Sequence, residues 1–143
     1  MHAWRRFLLR LFGARVASRA RIYASVRIWW PGNLELGERA WLGPRVDCYN
    51  QGRIRIGARV TVSQGAHLCA STHDYDDSAF PLVLRPILIA DDAWIAADAF
   101  VGPGVTIGEG AVLGARGCAL RDLDSWTVYS GNPAAAVGTR AFR

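Results

Sequence analysis

The sequence has no lysine, one methionine and three cysteines among its 143 residues, and residues 1–30 hold no acidic side chain. Each shortage narrows the field. Cys48, Cys69 and Cys118 are too few and too irregularly spaced for a disulfide framework or a C-x-x-C motif, which points to a reducing compartment. Cys48 and Cys69 fall on or beside repeat positions and read as small core residues rather than reactive thiols. No apolar run approaches the roughly 18 residues that a spanning helix needs. Phe7-Leu8-Leu9 is interrupted by Arg10 and is followed by no small-residue cleavage site, so it is no secretory signal. A cytoplasmic protein is expected.

With lysine absent, all the positive charge is arginine, a usage read as composition bias. Residues 1–30 hold seven arginines and no acid, whereas residues 31–143 hold ten arginines against twelve acids. The net charge of +5 therefore comes from one local segment. Nothing else in the chain suggests a base-stacking or groove-reading surface, and no nucleic-acid partner is expected. Hydrophobic residues make up 51% of the chain, enough for a real core in a single domain, 1–143.

What the sequence does have is a six-residue beat. An aliphatic residue recurs every sixth position, followed at once by a small residue and three places later by another. Ile89, Ile95, Val101, Ile107 and Leu113 head five such units without a gap; Leu36, Leu42, Ile56, Val62 and Leu68 head five more. Six residues fit neither a helix face nor a simple strand alternation. Hexapeptide repeats signal a parallel β-helix, each unit one short strand and one corner, three units to a triangular coil. About five coils are expected over 20–124. The phase resets carry an apolar-x-apolar mark at Leu34-Glu-Leu36, Ile54-Arg-Ile56 and Ile87-Leu-Ile89, read as extra residues at one corner. The largest break follows Leu68. Residues 74–86, polar and turn-rich, form a loop that leaves the prism with His73 at its root.

Before the prism, Trp4, Phe7, Leu8, Leu11 and Phe12 recur at helical spacing between Arg5, Arg6 and Arg10, with Gly13 as the stop. This basic amphipathic helix, within 1–14, reads either as a cap on the open end of the prism or as a peripheral anchor on anionic lipid through residues 4–12. The chain opens abruptly on it, the pattern expected where an upstream segment is missing. The closing segment, 125–143, breaks the beat, and its tail from Ala135 is expected to return along the outside.

Taken together, the array, the His73-Asp74 pair opening a loop, the Trp94-Ile95 step and the closing Trp126-x-Val128-x-x-Gly131-Asn132-Pro133-Ala134 resemble the hexapeptide-repeat O-acetyltransferases. The stretches Val46-Asp-Cys-Tyr-Asn50, Val62-Ser-Gln64 and His73-Asp-Tyr75 with Phe80-Pro-Leu82 bring it nearest to the colanic acid biosynthesis type. The resemblance covers nearly the whole chain. It implies an all-β, left-handed parallel β-helix, a homotrimer, acetyl-CoA as co-substrate, no metal, and a sugar or lipid-linked oligosaccharide of an exopolysaccharide pathway as acceptor.

O-acetylation needs a base, and an imidazole titrates near neutrality. The resemblance places the catalytic base at His73, with direct transfer and no acyl-enzyme. Asp74, Asp76 or Asp77 is the expected orienter of its ring, and Asp47 and Asn50 are candidates to position the acceptor or the oxyanion. Trp94 is expected against the pantetheine arm, with Ala97, Ala115 and Gly131 lining a thin channel and Arg140 on the phosphates. Two departures favour the alternative of an inactive β-helix scaffold: Ala135 where relatives carry Lys or Arg, and Arg116 in a step that is usually glycine-rich. A zinc hydrolyase of the same fold needs three histidines. This chain offers His67 and His73 in the prism, on different sides, and His2 before the helix.

Overall fold

The computed structural model describes residues 1–143. Helix α1 (His2–Leu11) precedes an all-β, left-handed parallel solenoid. Three flat faces form a prism. Face one stacks Arg15–Val16, Leu34–Leu36, Ile54–Ile56, Ile87–Ile89 and Thr106–Ile107. Face two stacks Arg21–Ile22, Trp41–Leu42, Thr61–Val62, Trp94–Ile95, Val112–Leu113 and Thr127–Ser130. Face three stacks Arg27–Ile28, Asp47–Tyr49, His67–Cys69, Phe100–Val101 and Cys118–Ala119. Five coils are complete. Leu123, bridged to Ile107, and Thr127–Ser130 begin a sixth.

The beat and the coils coincide because the repeated aliphatic residue is the one that points inward. Ile22, Leu42, Val62, Ile95 and Leu113 are fully buried in one column behind face two. Burying an Ile or Leu side chain stabilises by about 1.5–3 kcal/mol. The apolar-x-apolar marks are the three-residue strands of face one, whose first and third residues both face the core. Down that face the register steps Arg15, Glu35, Arg55, Leu88, Thr106. The uneven steps come from residues added at one corner only, between faces three and one.

Three boundaries differ from expectation. The first coil begins at Arg15, ahead of residue 20, because Arg15–Val16 pairs with Glu35–Leu36. Part of the closing segment is solenoid, since Thr127–Ser130 adds a parallel rung to face two. The tail does not simply run back outside the prism: Ala135–Thr139 pairs antiparallel with Thr127–Ser130 and closes that sheet.

Helix α1 caps the prism with its polar side. The first coil has no coil beneath it, so its outward backbone groups lack partners. His2 bonds the carbonyl of Ile22, Arg5 that of Val26, Arg6 that of Ala20 and Arg10 that of Val16. Leu9, on the same side, is buried. The helix stripe of Trp4, Phe7 and Leu11 therefore points away from the protein and is exposed.

Burial pushes the Cys48 thiol up to about 12, with the neighbouring Asp47 charge adding to the shift. A thiol reagent at pH 8 should modify Cys69 and Cys118, which are partly exposed, and leave Cys48 intact in the native protein. Peptide mapping after brief labelling checks this; labelling of Cys48 at the rate of Cys69 would contradict it.

Candidate active site

The prism has three edges. The first corner joins faces one and two, the second joins two and three, and the third joins three and one. The expected site residues fall on all of them.

At the third corner, Ser71–His73 leaves the prism and pairs antiparallel with Leu82–Leu84 as an outlying hairpin. His73 ends the outgoing strand and is exposed. Its Nδ1 lies 2.9 Å from the Phe80 carbonyl oxygen. A carbonyl only accepts, so Nδ1 carries the proton and Nε2 is left with a free lone pair. The Phe80 ring stacks on the imidazole, with centroids 4.1 Å apart and planes 8° from parallel. Phe80 has a φ of +49°, uncommon for a bulky residue; this turn lets one residue present both its ring and its carbonyl to His73.

None of the three loop aspartates orients the ring. Asp74 accepts from the amide of Asp76 and Asp77 from that of Ala79, both turn bonds within the loop. A groove of about 450 Å³ opens beside His73, walled by Thr72, Asp74, Tyr75, Arg85 and Pro103. Arg85 was not foreseen. It returns the chain from the hairpin to the prism, its amide bonded to the Ala70 carbonyl, and it lines the groove without a carboxylate within ion-pair distance.

Asp47 and Asn50 belong to the coil below. Asn50 lies at the third corner, fully buried, with both ends of its amide committed: Oδ1 accepts from the Trp30 amide at 3.0 Å and Nδ2 donates to the Trp30 carbonyl at 2.7 Å. It fastens the second coil to the first and cannot at the same time hold an acceptor hydroxyl. Asp47 sits on the outside of face three, ion-paired with Arg27. Corner three is further tied by Asn33 to the Gln51 carbonyl and by Ser71 to the Gln51 side chain, which anchors the strand that carries His73.

At the second corner, Ala97, Ala115 and Gly131 stack one above another. The Arg116 amide donates to the Ala97 carbonyl at 2.8 Å, and the Cys118 amide to that of Gly131 at 2.9 Å. Trp94 lies on face two, 43% exposed, and its Nε1 donates to Ser63 Oγ at 3.0 Å. Because Ser63 belongs to the second corner, this bond lays the indole toward the same column. Arg116 is the left-handed residue that turns this corner, with φ +58°, as Asp98 does one coil below with φ +57°.

Arg140 is elsewhere. Its guanidinium donates to the carbonyls of Asp92 and Gly110 at the first corner, at 2.7 and 3.2 Å, and lies over the Phe142 ring. It fastens the tail through Nη1 at the first corner, away from the second-corner column where the phosphate contact was expected to serve. Ala135, where a basic residue was expected, opens the antiparallel closing strand. An unpaired arginine is present instead at the C-terminal end of the third corner: Arg121 lines a cavity of about 480 Å³ with Leu120, Pro133 and Ala134. His67 lies on face three with its ring edge against Phe100 at 5.5 Å, away from the His73 loop.

One chain thus gathers the candidate base at the third corner and the small-residue column with Trp94 at the second. It does not bring the two together.

No family model matches the chain. It is 44% identical over 140 residues to the Escherichia coli K12 protein provisionally named colanic acid biosynthesis acetyltransferase WcaF, covering 98% of this chain and 77% of that one; the Shigella flexneri protein of the same name matches equally. Among solved structures, hexapeptide-repeat acetyltransferase VCA0836 of Vibrio cholerae superposes with a TM-score of 0.90 at 24% identity, covering 99% of this chain and 82% of that one. The same protein has been solved in complex with acetyl coenzyme A. A maltose O-acetyltransferase of Clostridium difficile 630 superposes at 0.86 with 23% identity, covering 96% and 75%. These structural likenesses establish the fold.

Two outcomes are expected. Nitrogen-15 correlation spectra of neutral His73 should show the proton on Nδ1; a proton resident on Nε2 would contradict the bond to Phe80. Asn50→Ala should destabilise the protein by about 1–2 kcal/mol, because the part-buried amide and carbonyl of Trp30 both lose their partner. A denaturation midpoint unchanged from wild type would show that the amide is not fastening the coils.

Proposed function

The chain belongs to the hexapeptide-repeat acetyltransferases related to the colanic acid biosynthesis enzymes, and from that we propose that it moves an acetyl group from acetyl-CoA to a sugar hydroxyl in exopolysaccharide assembly. His73 is the base in this reading. Nε2 takes the proton of the acceptor hydroxyl as its oxygen adds to the thioester carbonyl. The tetrahedral adduct then collapses, the C–S bond breaks, and the departing thiolate takes the proton back from the imidazolium. No acyl-enzyme forms. Arg85, beside the groove, is placed to steady negative charge on the acceptor or on the developing oxyanion.

The observation that supports this most is the fixed tautomer of His73, which leaves Nε2 free toward the groove. The separation of the two corners supports a second element: a parallel homotrimer in which the His73 loop of one copy faces the Trp94, Ala97, Ala115 and Gly131 column of the next. The exposed face of Trp94 and the small side chains of that column support reading it as the path of a thin pantetheine arm. Arg121 takes the phosphate role first expected of Arg140. Residues 4–12 are proposed as a peripheral membrane contact on the cytoplasmic side, near lipid-linked acceptors.

Thiol release from acetyl-CoA, measured with a panel of sugars, tests the chemistry. His73→Ala should lower kcat by about 10²–10⁴-fold, and equal turnover in that variant would sink the proposed base. Subunit mixing tests the shared site. His73→Ala and Ala97→Trp should each be inactive alone, and co-assembled copies should regain part of the activity through interfaces that pair an intact loop with an intact column. No recovery in demonstrably mixed assemblies would place the whole site within one chain.

A further inference from the structure

The N-terminal end of the prism combines two features that the acetyl-transfer chemistry does not use. The first is the mounting of α1. An amphipathic helix on a globular protein ordinarily turns its apolar side inward; here the donors His2, Arg5, Arg6 and Arg10 face the prism, and the apolar stripe faces out. Trp4 is 64% exposed, Phe7 54% and Leu11 65%, with Trp4 and Phe7 stacked at 5.5 Å. Trp29 and Trp30 of the first coil, at the same end, are as exposed. Exposed apolar surface of this kind marks an interaction site, and tryptophans gather where one side is apolar and the other wet.

The second feature lies beside the helix. A groove of about 540 Å³ is lined by His2, Arg6, Arg19, Arg21, Arg39 and Trp41, with Ser18 at its edge. No carboxylate lines it. Glu38, next in sequence to Arg39, is turned to the amide and hydroxyl of Ser18 at 2.9 and 3.0 Å. Arg27, by contrast, is paired with Asp47, and Arg15 shares Glu35 with Arg53 and Arg55. The Ser18 hydrogen bonds and, with them, the nearby Arg19 charge hold the Glu38 carboxyl below its ordinary value, so the concavity sets three guanidinium groups against one neighbouring carboxylate, with Arg21 and Arg39 unmatched, at the end where the apolar stripe projects.

We propose that this end of the molecule docks on an anionic lipid bilayer, the stripe of Trp4, Phe7 and Leu11 entering the interface while the groove of Arg19, Arg21 and Arg39 receives the phosphate of a lipid headgroup. This rests on the reading of residues 4–12 as a membrane contact and is independent of His73. The charge complement decides for anionic lipid over an apolar protein partner: a neutral apolar occupant would cover the stripe and leave the groove's excess of positive charge unanswered. In the proposed parallel trimer three such ends lie in one plane, so weak single contacts combine.

Vesicle co-sedimentation tests it, with phosphatidylglycerol–phosphatidylcholine vesicles against phosphatidylcholine alone. Wild type should pellet with the anionic vesicles and release in high salt. Each arginine near an anionic surface strengthens partitioning about fivefold, so Arg19→Gln/Arg21→Gln/Arg39→Asn should bind on the order of a hundredfold more weakly. Asparagine is chosen at position 39 because the backbone there is left-handed, with φ +57°. Trp4→Ser/Phe7→Ser/Leu11→Ser should also lose binding. Both variants should keep wild-type thiol release with a soluble acceptor, and His73→Ala should still pellet, which separates failure of this proposal from failure of the chemistry.

Four results would overturn it. Wild type that stays in the supernatant, or that binds neutral vesicles equally, removes the anionic headgroup. Binding of inorganic pyrophosphate in the groove without any vesicle binding makes the site one for a soluble phosphorylated ligand. Loss of groove charge without loss of vesicle binding leaves apolar attachment alone. A smaller assembly in sedimentation of the stripe variant, with no vesicle binding by wild type, assigns the stripe to a second copy.

Discussion

Each coil of the prism is closed only by the coil above it and the coil below, through main-chain hydrogen bonds between residues about one turn apart. That dependence sets the shape of the rest. It demands that every side of the triangle stay in register, so the inward residue of each unit must be apolar and the corner residue small or left-handed. It also means that the stack has two ends where the bonding stops. At the C-terminal end the chain doubles back as Ala135–Thr139 against Thr127–Ser130. At the other end side chains finish the edge, and arginine serves because its several donors on a long stem can reach carbonyls that a helix backbone, already bonded to itself, cannot.

The same dependence separates the parts of the candidate site. The second corner admits no insertion in any coil, so its small residues align into a straight column suited to a thin ligand. The third corner absorbs every insertion, from Pro31–Asn33 to the hairpin that carries His73. A corner that tolerates added chain can evolve a reactive loop, whereas a corner that does not can only offer a smooth track. Because the two corners lie on different edges of one prism, chemistry that needs both must draw on two prisms.

The fold was legible because its signal is a period: the beat, the three apolar-x-apolar marks and the single large break all map onto coils, face one and the third corner. Individual roles were less legible. Asn50 looked like a turn residue open to a ligand, and only its burial against Trp30 shows that its amide is spent on the backbone. The orienter of His73 left no trace in residue types, since a main-chain carbonyl does the work; an aspartate was the natural guess and Phe80 the answer. Arg140 carried a charge suited to phosphate, but periodicity does not show that the tail brings it to the first corner. The helix showed an apolar side, but periodicity does not say which side meets the protein, and here the unpaired carbonyls of the first coil reverse the usual choice.

The basic segment, which the sequence presents as one block of seven arginines, divides in the structure into three groups with different surroundings. Arg5, Arg6 and Arg10 answer carbonyl oxygens, which are dipoles and leave the full charge in place. Arg27 pairs one to one with Asp47 of the second coil, and Arg15 shares Glu35 of that coil with Arg53 and Arg55. Arg19 has only Glu38 near it, a carboxylate already bonded to Ser18; Arg21 meets none, and the second coil adds the further charge of Arg39 beside them. Had the block served only to cap the prism, the carbonyl-facing group would suffice, and charge at positions 21 and 39 would merely add repulsion. Holding like charges together costs stability that solvent screening only partly relieves. An external anion is what turns that repulsion into attraction, and the outward tilt of the apolar stripe at the same end gives that anion a surface to belong to.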